Sequence, residues 1–158
     1  MNRLPLTYEK ALDKAAKYCA LQERSLKQVE AWLKKLNIKT ADIQRITEVL
    51  INENFIDEER FARAYARGKF SINGWGRIKI RINLRMQGIS DEDIKMGLQE
   101  IEEDAYLRKL ETIVAKKYAA LILHEDHFMA QTKTNAYAWT KGYEPELITA
   151  ALQKVINQ

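Results

Sequence analysis

Apolar residues recur at three- and four-residue intervals through most of this 158-residue chain, the period of an amphipathic helix. From a capping Thr7, a helix is expected to about Glu23, with Leu12, Ala15, Ala16 and Cys19 on one face. Ser25 caps a second, carrying Val29, Trp32, Leu33 and Leu36 and ending at Asn37. Thr40 is expected to cap a third, with Ile43, Ile46, Val49 and Leu50. Asp57, Glu58 and Glu59 open a fourth, where the helix dipole favours acids, with Phe61 and Tyr65 inward. Gly68 weakens its end.

Residues 77–86 read Arg-Ile-Lys-Ile-Arg-Ile-Asn-Leu-Arg-Met, a strict alternation that taken alone signals a strand. Ile78, Ile82, Met86 and Ile89 also recur at helical spacing, and a helix is the reading adopted, closed by Gly88. Ser90 with Asp91, Glu92 and Asp93 opens the next, carrying Ile94, Leu98 and Ile101. A longer helix is expected over 103–122 on a stripe of Leu107, Leu110, Val114, Tyr118 and Leu121. Another is expected over 128–140 on Phe128, Thr132, Ala136 and Trp139, ended by Gly142. Pro145 opens the last, with Ile148, Ala151, Leu152 and Val155.

Three stretches align: Leu-Lys-Lys-Leu-Asn-Ile from Leu33, Leu-Arg-Met-Gln-Gly-Ile from Leu84, and Ala-Trp-Thr-Lys-Gly-Tyr from Ala138. Each is a helix end, then Asn or Gly, then an apolar residue (Ile38, Ile89, Tyr143), with another five residues on (Ile43, Ile94, Ile148). The spacings are 51 and 54 residues. The fold class expected is therefore all-α, built of tandem three-helix units over 1–53, 54–102 and 103–158, stacked into an elongated, curved body with a concave binding surface. Six glycines and two prolines, too few for the turns of a sheet-rich domain, agree.

Composition changes the picture through charge. The chain is 46% hydrophobic and 30% charged, enough to bury a core, with a net charge of +4. Eight of its 26 basic residues and none of its 22 acidic ones lie in 60–86, so the rest of the chain carries 18 against 22, or −4. The eight are Arg60, Arg63, Arg67, Lys69, Arg77, Lys79, Arg81 and Arg85. Arg60, Arg63 and Arg67 form a stripe along one side of a helix. Charge runs are usually solvated helix faces. Eight cations without a carboxylate, around Gly74-Trp75-Gly76, point instead to a polyanion or an acidic protein surface. Trp75 has two readings: a stacking or anchoring residue at an interface, or a core residue whose glycines only shape the turn. No Cys/His finger specifies base readout, so nucleic-acid contact is expected to be sequence-independent.

Other chemistries find little support. No apolar run approaches a membrane span, and the charged N-terminus lacks the apolar stretch of a secretory leader. Cys19 stands alone in an apolar stretch, a small core residue consistent with a reducing compartment. His124-Glu125-Asp126-His127 offers two potential metal ligands, but a catalytic zinc needs a third and the pair sits at a helix junction. Gly74-Trp75-Gly76 lacks the third glycine of a dinucleotide loop, and no Gly-Lys-Ser/Thr follows. No nucleophile elbow is present. Tyr106, Tyr118, Tyr137 and Tyr143 are read as core.

The middle of the chain resembles the RecX family of regulators of the RecA recombinase. The resemblance rests on Phe55-Ile56-Asp57, Arg60-Phe61-Ala62 with Tyr65, Gly74-Trp75-Gly76, then Ile78, Ile80, Leu84 and Gly88-Ile89. Glu23-Arg24-Ser25 and Lys141-Gly142-Tyr143 with its final amphipathic helix extend it over nearly the whole chain. Two departures are Arg77, where many members place Pro, and Asn37, where Gly is common. The resemblance implies a cytoplasmic bacterial protein that lodges in the groove of the RecA–DNA filament and lowers its ATPase and strand exchange. It implies no catalysis. A monomer is expected, without cofactor, metal or membrane partner, whose DNA contact is weak or filament-dependent. The residues expected to touch DNA or filament are Trp75 and the eight cations. The alternative is a helical nucleic-acid-binding module unrelated to recombination; a metal-dependent enzyme is a distant third.

Overall fold

The computed structural model describes residues 4–158. The first three residues of the segment read for a leader lie outside the described residues. Among the described residues the chain forms nine helices and no strand. They are α1 (Tyr8–Leu21), α2 (Leu26–Lys35), α3 (Thr40–Asn52), α4 (Glu58–Ser71), α5 (Arg77–Met86), α6 (Asp91–Leu98), α7 (Glu103–Leu121), α8 (His127–Thr140) and α9 (Pro145–Ile156). Segment 77–86 is thus helical despite its alternation.

Most starts follow local chemistry. The Thr7 side chain accepts from Lys10 N–H, and Ser25 with Gln28 forms a reciprocal capping box. Asp57 Oδ1 accepts from Arg60 N–H at 2.9 Å, and Ser90 Oγ from Asp93 N–H at 3.2 Å. Thr40 is a correction: it is the first helical residue of α3, and the cap is Lys39, whose side chain makes no capping bond.

The three aligned stretches end their helices identically. Asn37, Gly88 and Gly142 all adopt left-handed backbone, with φ of 60°, 79° and 95°. At each, the residue that follows donates its N–H back to the carbonyl five positions earlier: Ile38 to Leu33, Ile89 to Leu84, Tyr143 to Ala138. The left-handed residue itself donates to Lys34, Arg85 or Trp139. This is a Schellman closure, and it explains why Asn or Gly stands at that place in every copy. Ile43, Ile94 and Ile148, five residues beyond the second apolar position, are all buried.

The chain divides into two compact units, and the division falls inside α4 and α5. The first runs to Ala64 and takes in Leu84–Gly97. Its core holds Ala11, Ala15, Cys19, Val29, Leu33, Ile43, Ile46, Leu50 and Ile56. A Cβ on Gly97 would stand 2.7 Å from Ala62 O, so the glycine lets α6 lie directly on α4. The buried Cys19 thiol has a raised pKa, chiefly because burial disfavours the thiolate.

The second unit comprises Tyr65–Asn83 and Leu98–Gln158. Its centre is α7, which buries Tyr106, Leu110, Val114 and Tyr118 against α8 and α9. Tyr143 is fully buried as well, its ring 5.0 Å from that of Tyr106, whereas Tyr137 is only half-buried. Burial drives the pKa of both Tyr106 and Tyr143 upward.

Two expected faces are corrected. On α8 the buried residues are Ala130, Thr134 and Ala138, while Phe128 and Trp139 are exposed, at 76% and 53%. Small side chains, not large ones, let α8 approach α7. On α5 the buried positions are Ile80 and Leu84, and Ile82 and Met86 face solvent.

The start of α5 explains its rotation. Gly76 N–H donates to Lys141 O at 2.7 Å and Ile78 N–H to Gly142 O at 3.0 Å. Between them Arg77 N–H donates to Tyr106 Oη at 3.0 Å. Three N–H groups that a helix start leaves open are thus satisfied by the α8–α9 turn and one phenol. A Cβ at Gly76 would overlap the Gly142 carbonyl, and one at Gly142 would stand 2.6 Å from Lys79 N. Tyr106 Oη in turn donates to Glu144, and Arg77 pairs with Glu144 at 2.5 Å and Glu103 at 2.8 Å. Proline at position 77 would lack the N–H that Tyr106 receives.

Three variants test this account by urea unfolding. Gly88→Ala meets no neighbour, so only its left-handed backbone is strained, and a loss of about 1 kcal/mol is expected. Gly76→Ala should cost more, about 2–3 kcal/mol, because backbone must move; an equal loss from the two would refute the close contact. Tyr106→Phe leaves the Arg77 N–H and Glu144 short of a partner and should cost about 1–3 kcal/mol.

Candidate nucleic-acid and protein interface

The eight cations of 60–86 do not share one environment. Arg60 donates to Glu23 at 2.5 Å and to Asn54 O at 2.9 Å, tying down the turn before α4. Arg63 pairs with Glu59 at 3.0 Å, Arg67 with Glu100 at 3.3 Å, and Arg85 with Asp91 at 3.1 Å. Arg77 is the most enclosed, its side chain 23% exposed between Glu103 and Glu144. Burial works against its charge, but the hydrogen bonds it donates to the two carboxylates outweigh that, and its pKa is raised. A count within the segment leaves these arginines unopposed because all their carboxylate partners lie outside it.

Among the described residues, three of the eight cations have no carboxylate partner: Lys69, Lys79 and Arg81. Lys69 and Lys79 converge on Trp75. Their ammonium nitrogens stand 4.8 Å and 4.4 Å from the centroid of its indole, and the Tyr65 ring meets it edge-on at 6.4 Å. Trp75 is half-buried, held by cations rather than sunk in the core. A π-face orients ammonium groups without neutralising them, so the cluster keeps its full positive charge. Sequence reading put these residues in one segment, but it had no signal for their convergence on one ring.

Arg81 lies elsewhere. On a regular helix Lys79 and Arg81 are about 160° apart, one on each side of the buried stripe. The solvent face between them carries Ile82 and Met86, at 51% and 66% exposure, beside the ion-paired Arg85. The basic residues of α5 therefore border an apolar ridge and do not form a continuous cationic face.

In the His124-Glu125-Asp126-His127 stretch the last three side chains are engaged separately. His127 Nδ1 lies 2.9 Å from Tyr118 Oη, Asp126 caps α8, and Glu125 pairs with Lys133. Among the described residues no group of three or more His, Cys, Asp or Glu is placed to hold a metal ion, and no helix is long and apolar enough to cross a membrane.

Comparison with known proteins bears on this arrangement. Residues 57–98, spanning α4 to α6, match the family model described as RecX, second three-helix domain. A regulatory protein RecX of Bacillus mycoides is 24% identical over 150 residues, covering 95% of this chain and 55% of its own length. The chain thus spans about half the length of the Bacillus relatives it matches. The regulatory protein RecX of Prosthecochloris aestuarii, 24% identical, is matched over 95% of its length. The crystal structure of RecX from Lactobacillus salivarius superposes with a TM-score of 0.81 at 26% identity, covering 96% of this chain and 97% of that one. A second RecX crystal structure, 19% identical, shares the fold with a TM-score of 0.83. With the all-α helical-repeat fold and the motifs from Phe55 to Ile89, these likenesses support a protein of the RecX family of regulatory proteins.

Proposed function

We propose that this protein binds a RecA–DNA filament in the cytoplasm and lowers its ATPase and strand-exchange activity, and so regulates DNA repair without chemistry of its own. Family membership supplies the frame. The observation that carries the reading is the unneutralised cluster of Lys69 and Lys79 on Trp75, a fixed positive site suited to a phosphate backbone or an acidic filament surface. Arg81 adds a further unpaired charge, and the ion-paired Arg60, Arg63, Arg67 and Arg85 contribute a weaker field. Arg77 serves the start of α5. The three-helix units would act as repeated contact modules, and occupation of the filament groove would hinder the nucleotide-linked rearrangements of its protomers.

The test is the DNA-dependent ATPase rate of RecA titrated with this protein. Inhibition is expected well below one-to-one. No inhibition, together with salt-sensitive binding to bare DNA, would replace this reading with a plain nucleic-acid-binding module. The double reversal Lys69→Glu with Lys79→Glu should raise the concentration needed for inhibition about tenfold. Arg85→Glu, which removes a charge already paired with Asp91, should do less. Trp75→Ala should weaken filament affinity through the two lysines it orients. A lowered melting temperature with unchanged affinity would assign Trp75 to the core.

A further inference from the structure

A second cationic feature lies outside the basic segment. In the second unit, a groove of about 370 Å³ opens between the loop that follows α4 and the adjoining surfaces of α7 and the end of α8. Four lysines line it: Lys109, Lys116, Lys117 and Lys141. Three come from α7 and one from the end of α8, and no acidic residue lines the groove with them. None of the four pairs with a carboxylate among the described residues.

Neutral groups hold three of these charges in place. Lys109 Nζ donates to Ser71 O at 3.3 Å and Lys141 Nζ to Asn73 O at 3.1 Å. Lys117 Nζ stands 4.6 Å from the centroid of the Tyr137 ring, and Lys141 Nζ 5.8 Å. Carbonyls and a π-face order an ammonium without cancelling its charge, so the groove is preorganised for an anion. Holding like charges together is unfavourable without an opposing partner.

The rest of the lining narrows the class of that partner. Ile72 is 84% exposed, and Ile113 is half-buried beside it. A strand of nucleic acid seeks open aromatic faces for its bases. The one aromatic ring here, Tyr137, already carries two ammonium groups. Aliphatic surface rimmed by lysines instead suits carboxylates flanking an aliphatic side chain. We infer that this groove binds an extended acidic peptide segment of a partner protein, its carboxylates meeting Lys109, Lys116, Lys117 and Lys141 and one aliphatic side chain resting on Ile72 and Ile113. The inference is independent of the role proposed for Lys69, Trp75 and Lys79.

The test uses the full chain and fluorescence anisotropy with two labelled probes: a peptide of glutamates around a single leucine, and an oligothymidylate. The peptide is expected to bind, with affinity falling as salt rises. Lys116→Glu with Lys117→Glu should weaken it about tenfold, while oligothymidylate binding changes far less. Ile72→Ser, at a position too exposed to threaten folding, should weaken the peptide severalfold, as should replacing the peptide's leucine by serine. Far-UV circular dichroism checks that the variants fold. Absence of peptide binding at low salt would overturn the inference. So would peptide affinity indifferent to the lysine reversals, or to both Ile72 and the leucine. Oligothymidylate binding that collapses on lysine reversal, with peptide binding intact, would overturn it in favour of a nucleic-acid groove.

Discussion

The contact between Gly76 and Gly142 is the constraint on which the second unit depends. Two backbones meet there with no space for a side chain on either, and hydrogen bonds from Gly76 and Ile78 run straight into the α8–α9 turn. That one approach starts α5 and fixes its rotation. It draws Arg77 into the interior beside Tyr106, Glu103 and Glu144, and brings Tyr143 close enough to donate its hydroxyl to Gly74 O at 3.0 Å. The glycines flanking Trp75 thus serve different ends. Gly74 takes a left-handed backbone, and Gly76 permits contact.

Charge shows how far a count of residues can stand from a usable field. Eight cations in one segment suggest a uniform positive face. Folding sets five of them against carboxylates, some local, such as Glu59, and some distant in sequence, such as Glu23 and Glu144. Exposed pairs of this kind add little stability, but they dim the field outside. Lysines held by an indole, a phenol ring or a backbone carbonyl behave oppositely, because they are ordered and remain charged. In this chain the arginines of the basic segment mostly serve the fold, and the positive charge left unopposed is carried mainly by lysines.

The internal repeat is written more clearly in backbone conformation than in side chains. The three helix ends share only a pattern of apolar, then Asn or Gly, then apolar. Yet each closes with the same pair of backward hydrogen bonds and the same left-handed residue. Asn37 stands where the other two copies have glycine because its short amide tolerates that conformation.

What the sequence determined by itself was local: the helices other than α5, the caps at Thr7, Ser25 and Ser90, the acids that open α4, and the left-handed closures at Asn37, Gly88 and Gly142. These follow from interactions within a few residues. The resemblance to a family was legible too, because its motif residues stand in order along the chain. Tertiary structure decided what local pattern leaves degenerate. In α5, Ile78 and Ile82 or Ile80 and Leu84 are equally apolar, and only the contact of Gly76 with Gly142 selects the second pair. In α8, hydrophobicity favours Phe128 and Trp139, but close approach to α7 needs the smaller Ala130, Thr134 and Ala138. Which cations stay unopposed, and that four lysines from two segments line one groove, depend on partners far along the chain. Helical periodicity carries no record of those distances, because it reports only which neighbours share a face.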